Sequence, residues 1–293
     1  MLRRTFVQAL AAGVSMAPLY LQAKETVAVP NAHFADVNGQ HLFYQTYGSG
    51  KPLILLHGGG PEVDAFAGNV AGLAKERQVI TPHLQGHGRT PDTDRPLRSE
   101  FLADDIAALI RHLNISKADV AGYSLGAGVA LQLAIRHPDV IDRLVVLSTI
   151  FRNDGWYPEG RAAFDQMEAN APAIGEYLKT SPVGKKYPDV DWTKLFRKIA
   201  ESARQPFDWS AGVRQIKART LLVFADADAV RLEHIVEFYR LLGGGQRDAG
   251  VDGSLRAANQ LAIVPNTTHY NLAGNPLITE LVNGFLGTKA QQA

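Results

Sequence analysis
Cysteine is absent from the 293 residues. That excludes disulfides, thiolate zinc sites, cysteine-ligated clusters, lipoprotein anchors and a cysteine nucleophile. An excess of charge of one sign is absent too. The chain carries 30 Lys and Arg against 29 Asp and Glu, a formal net charge of +1. No general electrostatic pull toward nucleic acid or an anionic membrane follows from that balance. Internal repeats and low-complexity tracts are also missing. What is present is 46% hydrophobic and 20% charged residues, a composition that buries a sizeable core. At about 100–200 residues per domain, the length suits one large domain, alone or with an attachment.

The N-terminus reads as an address. Arg3-Arg4 precede an apolar stretch from Phe6 to Leu21, broken by Gln8, Ser15 and Pro18 and ending at Leu21-Gln22-Ala23. A positive start, an apolar middle and a small residue at the end have the layout of a secretory signal. The stretch falls short of the roughly 20 apolar residues that span a bilayer, so stable membrane insertion is not expected. Arg3-Arg4-Thr5-Phe6-Val7 resembles a twin-arginine export signal. The expectation is a signal over 1–23, cut after Ala23, and a protein exported to a bacterial periplasm or secreted. Without cysteine, such a protein relies on its core alone for stability.

Short apolar runs recur after it: Leu53–Leu56, Val120-Ala121, Leu144–Leu147, Leu221–Phe224 and Leu261–Val264. They suit strands buried on both faces, as in a parallel sheet. Helical patterns lie between them. Leu102, Ile106, Leu109, Ile110 and Leu113 share one helix face, and the almost wholly apolar Leu125–His137 fits a central helix stopped by Pro138. The fold class is therefore α/β. Asn38-Gly39 between extended stretches marks an antiparallel hairpin at the start. No convincing strand lies between Phe151 and about Lys217, so 151–217 is expected to be a helical cap on a core of 24–150 and 218–293. Helical patches are Gly160–Asn170 and Trp192–Arg204, with a loop over Ser181–Pro188. The aromatics Trp156, Tyr157, Trp192, Phe196, Phe207 and Trp209 are expected chiefly to fix this cap to the core, with an acyl-pocket lining as the alternative. Gly243-Gly244-Gly245-Gln246-Arg247 follows a helix rather than a strand, and reads as a surface loop rather than a phosphate loop.

Gly122-Tyr123-Ser124-Leu125-Gly126 matches G-x-S-x-G where a buried strand gives way to a buried helix. That is the context the motif requires. The turn forces Ser124 into a strained backbone, glycine on either side makes room, and the hydroxyl stands above the sheet. The Leu125 N–H, opening the helix, can face an oxyanion. A second donor is expected from His57-Gly58-Gly59-Gly60-Pro61 after the strand Leu53–Leu56: Gly59, with Gly60 as the alternative. A serine hydroxyl needs a base. In such a sheet the order is Ser, acid, His, each at a strand's carboxyl end. His269 follows Leu261–Val264 and is the expected base. Asp228 is the expected acid after Leu221–Phe224, with Asp226 the alternative.

On His57-Gly58-Gly59-Gly60, Gly86-His87-Gly88-Arg89, Gly122–Gly126, Asp228 and Thr268-His269, the sequence resembles the α/β-hydrolase family across nearly all of Ala32–Gly287. The resemblance implies an eight-stranded, mostly parallel sheet with a helical cap after the sixth strand. Family members often carry Asp-Leu-Arg-Gly-His-Gly-x-Ser where this chain has His83-Leu84-Gln85-Gly86-His87-Gly88-Arg89-Thr90, a change expected to alter local hydrogen bonding. Glycines at 86 and 88 argue against a helix that would make His83 and His87 metal ligands, so no metal and no cofactor are expected. The expected activity is carboxylic ester hydrolysis on a small-molecule substrate through Ser124, His269 and Asp228. Cleavage of carbon–carbon bonds in ring-fission products is the runner-up. The His-Gly-Gly-Gly-Pro run resembles that of such hydrolases, although Tyr270 stands where they often carry Trp. A lactonase is a further alternative, and a binding protein on the same fold is the non-enzyme one. Serine at 124, rather than Asp, disfavours dehalogenase and epoxide-hydrolase chemistry, and no Trp follows the serine as in proline iminopeptidases.

Overall fold
The computed structural model describes residues 30–287; the expected signal over 1–23 lies outside them. Eight strands form one sheet: β1 (Asn31–Val37), β2 (Gln40–Tyr47), β3 (Lys51–Leu56), β4 (Arg77–Pro82), β5 (Ala118–Tyr123), β6 (Ile141–Leu147), β7 (Arg219–Ala227) and β8 (Gln260–Thr268). Their order is β1-β2-β4-β3-β5-β6-β7-β8. β1 pairs antiparallel with β2, β2 antiparallel with β4, and every other neighbour is parallel. Asn38 and Gly39 take φ of 49° and 75°, the two positive values a tight hairpin turn demands.

Period-two alternation divides the core. Leu53, Leu55, Ala121, Tyr123, Val145, Leu147 and Val223 face one side, against Val70 and Leu73 of α1 (Ala67–Leu73) and Ile278, Val282 and Phe285 of α9 (Leu277–Gly287). Ile54, Leu56, Val120, Leu144, Val146, Leu222 and Phe224 face the other. There they meet Leu102, Ile106 and Leu109 of α2 (Ser99–His112), Val129 and Leu133 of α3 (Leu125–Arg136) and Ile235 and Phe238 of α8 (Leu232–Leu241). Both faces being covered explains why the central strands read as unbroken apolar runs. Each such buried Leu or Ile contributes about 1.5–3 kcal/mol relative to exposure. β4 has no such run. Arg77 and Gln78 precede Val79 and Ile80, and Thr81 and Pro82 follow, so the apolar pair is too short for a run to single it out.

Between β6 and β7 stand α4 (Pro158–Thr180), α5 (Pro182–Lys186), α6 (Trp192–Arg204) and α7 (Ser210–Arg214), and no named strand among the described residues. Two of the expected boundaries differ from the observed ones. The patch Gly160–Asn170 is the first half of a helix that starts on Pro158 and continues through Pro172 to Thr180. The expected loop Ser181–Pro188 contains α5: Pro182 opens it, and the Ser181 hydroxyl accepts from Gly184 N–H at 3.2 Å as its N-cap. Ser-Pro is a helix-start signal that the surrounding Gly and Lys residues obscured.

Candidate active site
The parallel strands deliver their carboxyl ends to one edge of the sheet, and the loops at that edge build the site. Ser124 links β5 to α3 with φ 53° and ψ −114°, a conformation few non-glycine residues adopt. The strain is held from both sides: Ser124 N–H donates to Leu147 O at 2.9 Å, and Gly126 N–H to His57 O at 3.1 Å. A Cβ on Gly122 would lie 2.2 Å from Gly126 O, and one on Gly126 2.5 Å from Leu56 O and His57 O. These two positions therefore exclude any side chain.

Across the edge, Ser124 Oγ lies 3.1 Å from His269 Nε2. His269 is held on several sides. Tyr123 Oη donates to His269 O at 2.5 Å, and Trp156 stands edge-on to the imidazole at 5.6 Å between centroids. His269 Nδ1 is 3.4 Å from Asp228 Oδ1 but only 2.6 Å from Ser148 Oγ, and that hydroxyl donates to Asp228 Oδ1 at 2.7 Å. Asp228 also accepts from Ala225 N–H at 3.0 Å and Val230 N–H at 3.1 Å. Burial alone would raise its carboxyl, but the nearby His269 imidazole, with the Ala225 and Ser148 donors, outweighs burial and holds it below the usual carboxylate range. Ser124, His269 and Asp228 are thus brought together. Asp226 is turned away: its carboxylate accepts Asn266 N–H and Thr267 N–H, both at 3.0 Å, and ties down the end of β8.

The two residues expected to supply oxyanion donors line the same cavity. Leu125 opens α3 and its N–H has no intrahelical acceptor, while Gly59 lines the cavity beside it. A Cβ on Gly59 would lie 3.6 Å from the Leu125 side chain. Gly60 is excluded from this role because its N–H donates to His87 Nε2 at 2.9 Å. His87 belongs to a trio of buried imidazoles. His57 Nε2 accepts Leu84 N–H at 3.0 Å, and His83 Nδ1 accepts Arg89 N–H at 2.9 Å. Burial lowers His83 and His87 to about 4 and His57 well below its ordinary value. All three are therefore neutral acceptors at pH 7, and they knit the glycine loop after β3 to the loop after β4. His83, in the segment that departs from the common family pattern, takes its place in that network as an acceptor rather than as a carboxylate.

A cavity of about 620 Å³ opens above Ser124, between the sheet edge and the helical insertion. Trp156, Tyr157, Phe196, Phe207 and Trp209 line it, as does Glu62. Only Trp192, 1% exposed, is purely core. The lining alternative for these aromatics thus describes five of six, several of which also pack on the core. Ser148, Tyr123 and Glu62 were not expected from the sequence. For Ser148 a signal existed: it is the residue after the apolar run Leu144–Leu147, at the same strand edge as the other site residues.

The alpha/beta hydrolase fold family model matches residues 51–182. The chain has the α/β-hydrolase fold. Among curated relatives, 2-hydroxymuconate semialdehyde hydrolase of Pseudomonas sp. is 39% identical over 106 residues, 35% of this chain and 38% of that protein. The chain spans about two fifths of the length of the first curated relatives it matches. An esterase from Thermogutta terrifontis superposes with a TM-score of 0.68 at 19% identity, over 89% of this chain and 98% of that one. The enol-lactonase of Burkholderia xenovorans LB400 gives 0.66 at 22% identity, over 87% and 100%. These structures share the α/β-hydrolase fold with this chain. No helix among the described residues is long and apolar enough to cross a membrane.

Proposed function
We propose that the protein is a cofactor-free serine hydrolase of small carboxylic esters, acting through an acyl-enzyme. The observation that carries this reading is the 3.1 Å approach of Ser124 Oγ to His269 Nε2 beneath the aromatic-lined cavity. Ser124 attacks the ester carbonyl while its proton passes to His269 Nε2. The Gly59 and Leu125 N–H groups receive the oxyanion. Collapse expels the alcohol, which takes the proton from His269. Water then attacks the acyl carbon as its proton passes to His269, and collapse returns that proton to Ser124 Oγ and releases the acid. Asp228 supports the imidazolium throughout. The N-terminal segment is read, in the same proposal, as directing export.

Two observations favour a second reading, hydrolysis of a carbon–carbon bond or a lactone: the His-Gly-Gly-Gly-Pro loop, and the likeness to a 2-hydroxymuconate semialdehyde hydrolase and an enol-lactonase. A panel of short- and long-chain nitrophenyl esters, lactones and ring-fission products, run on wild type and Ser124→Ala, separates these readings. Ester turnover is expected to lead, and Ser124→Ala to lower kcat by at least about 10³-fold. Equal behaviour of wild type and variant would overturn the nucleophile. Tight binding without turnover of any class would support a binding protein instead.

A further inference from the structure
We propose that Ser148 is a positioning residue, whose hydroxyl carries the hydrogen-bond link from His269 to Asp228 and fixes the tautomer of the imidazole. The inference rests on the hydrolase reading above and deepens it.

Ser148 follows β6 directly, is fully buried, and takes φ 48°. That left-handed backbone favours glycine over any residue with a Cβ. Its N–H donates to Val223 O at 2.9 Å on β7, so the backbone is pinned between two strands and the side chain has little freedom to turn away. A serine kept in a glycine conformation is explained if its hydroxyl is used. A hydroxyl has one proton to give. Here it goes to Asp228 Oδ1 at 2.7 Å, which leaves only lone pairs facing His269 Nδ1 at 2.6 Å. Nδ1 must then carry the ring proton, and Nε2 presents its lone pair to Ser124 Oγ. The direct Nδ1–Asp228 Oδ1 separation of 3.4 Å is beyond ordinary hydrogen-bond length. The short path therefore runs imidazole to hydroxyl to carboxylate. During attack the Ser124 proton moves to Nε2; the Nδ1 proton stays on the ring and the Ser148 proton stays on its oxygen. Positive charge appears on the ring and negative charge remains on Asp228, with the hydroxyl dipole aligned between them.

The test uses the purified full chain and p-nitrophenyl butyrate, with Ser148→Gly, Ser148→Ala, Asp228→Asn and the double variant Ser148→Gly/Asp228→Asn. Glycine suits φ 48°, so Ser148→Gly is expected to keep the wild-type melting temperature even if Ser148→Ala does not fold. Its kcat should fall about 10- to 100-fold, the worth of one charge-assisted hydrogen bond, with KM within about twofold. The acid limb of kcat/KM should move to lower pH, because the imidazolium loses an acceptor. Glu62, Tyr123, Asp228 and Tyr270 are the titratable groups that face His269, and none of the other three is altered in the Ser148 single variants or the Asp228 variants. The double variant should be no more than about threefold slower than Asp228→Asn, because both act along one path. A wild-type kcat and pH profile in Ser148→Gly would overturn the inference. So would losses that multiply in the double variant. If Ser124→Ala retains full activity, the hydrolase reading itself fails; if Ser124 is essential and Ser148 dispensable, only this inference does.

Discussion

Glu62 offers a quantitative check on the electrostatics of the cavity. It sits in the short turn after the glycine loop and lines the cavity wall. Burial, opposed by the His269 charge, pushes its carboxyl from 4.5 up to about 7. A raised carboxyl means that the folded protein holds a proton between pH 4.5 and 7 that the unfolded chain releases. Below that window both states are protonated and the group is neutral toward stability. As pH rises through it, stability is lost, and above pH 7 the loss is complete. At 1.36 kcal/mol per pH unit, the two and a half units correspond to at most about 3 kcal/mol. Glu62→Gln keeps the shape and removes the charge. Its melting temperature should equal that of wild type near pH 4.5 and exceed it by up to about 6–12 °C at pH 8, at roughly 2–4 °C per kcal/mol for a domain of this size. Thermal melts at half-unit steps from pH 4.5 to 8.5 measure the difference directly. A difference that does not change with pH, or a variant less stable at pH 8, would refute the account of Glu62 as a desolvated carboxyl.

The remaining predictions concern the frame and the acid. Gly126→Ala should fail to accumulate as folded protein, since its Cβ meets backbone oxygens at 2.5 Å that cannot rotate away; soluble expression and circular dichroism report this, and a normal melt would contradict the tight turn. Asp228→Ala should cost about 10³-fold or more in kcat, whereas Asp226→Ala should leave kcat within a few-fold and lower the melting temperature through loss of its hold on β8; the reverse ranking would exchange their roles. Sequencing of protein recovered from outside the cytoplasm of a bacterial host should begin at Lys24, and recovery of the intact N-terminus in the cytoplasm alone would contradict export.

Features with a local physical cause were legible in the sequence. Asn38-Gly39 had to form the hairpin, because two adjacent residues that tolerate positive φ joined two extended segments. β3, β5, β6 and β7 were legible as apolar runs because helices cover both faces of them. The placing of Ser124 and His269 at strand ends on one sheet edge was legible, because strained or loop positions there leave a signature in the neighbouring glycines and apolar runs. What was hidden depends on packing across the chain. β4 has one polar flank after another, and becomes a strand only because β2 and β3 supply partners. The commitment of Gly60 to His87 could not be seen without the fold, and the same is true of the placing of Ser148 between imidazole and carboxylate. The cavity belongs to this class as well, since its wall draws on residues from Gly59 to Tyr270.

The most direct measurement is the site at which a fluorophosphonate attaches. Labelled protein, digested and sequenced by mass spectrometry, should carry one phosphonyl group on Ser124 with loss of ester turnover in proportion, and Ser124→Ala should take up none. Labelling elsewhere with equal loss of activity, or full activity in a protein whose Ser124 is blocked, would contradict the account.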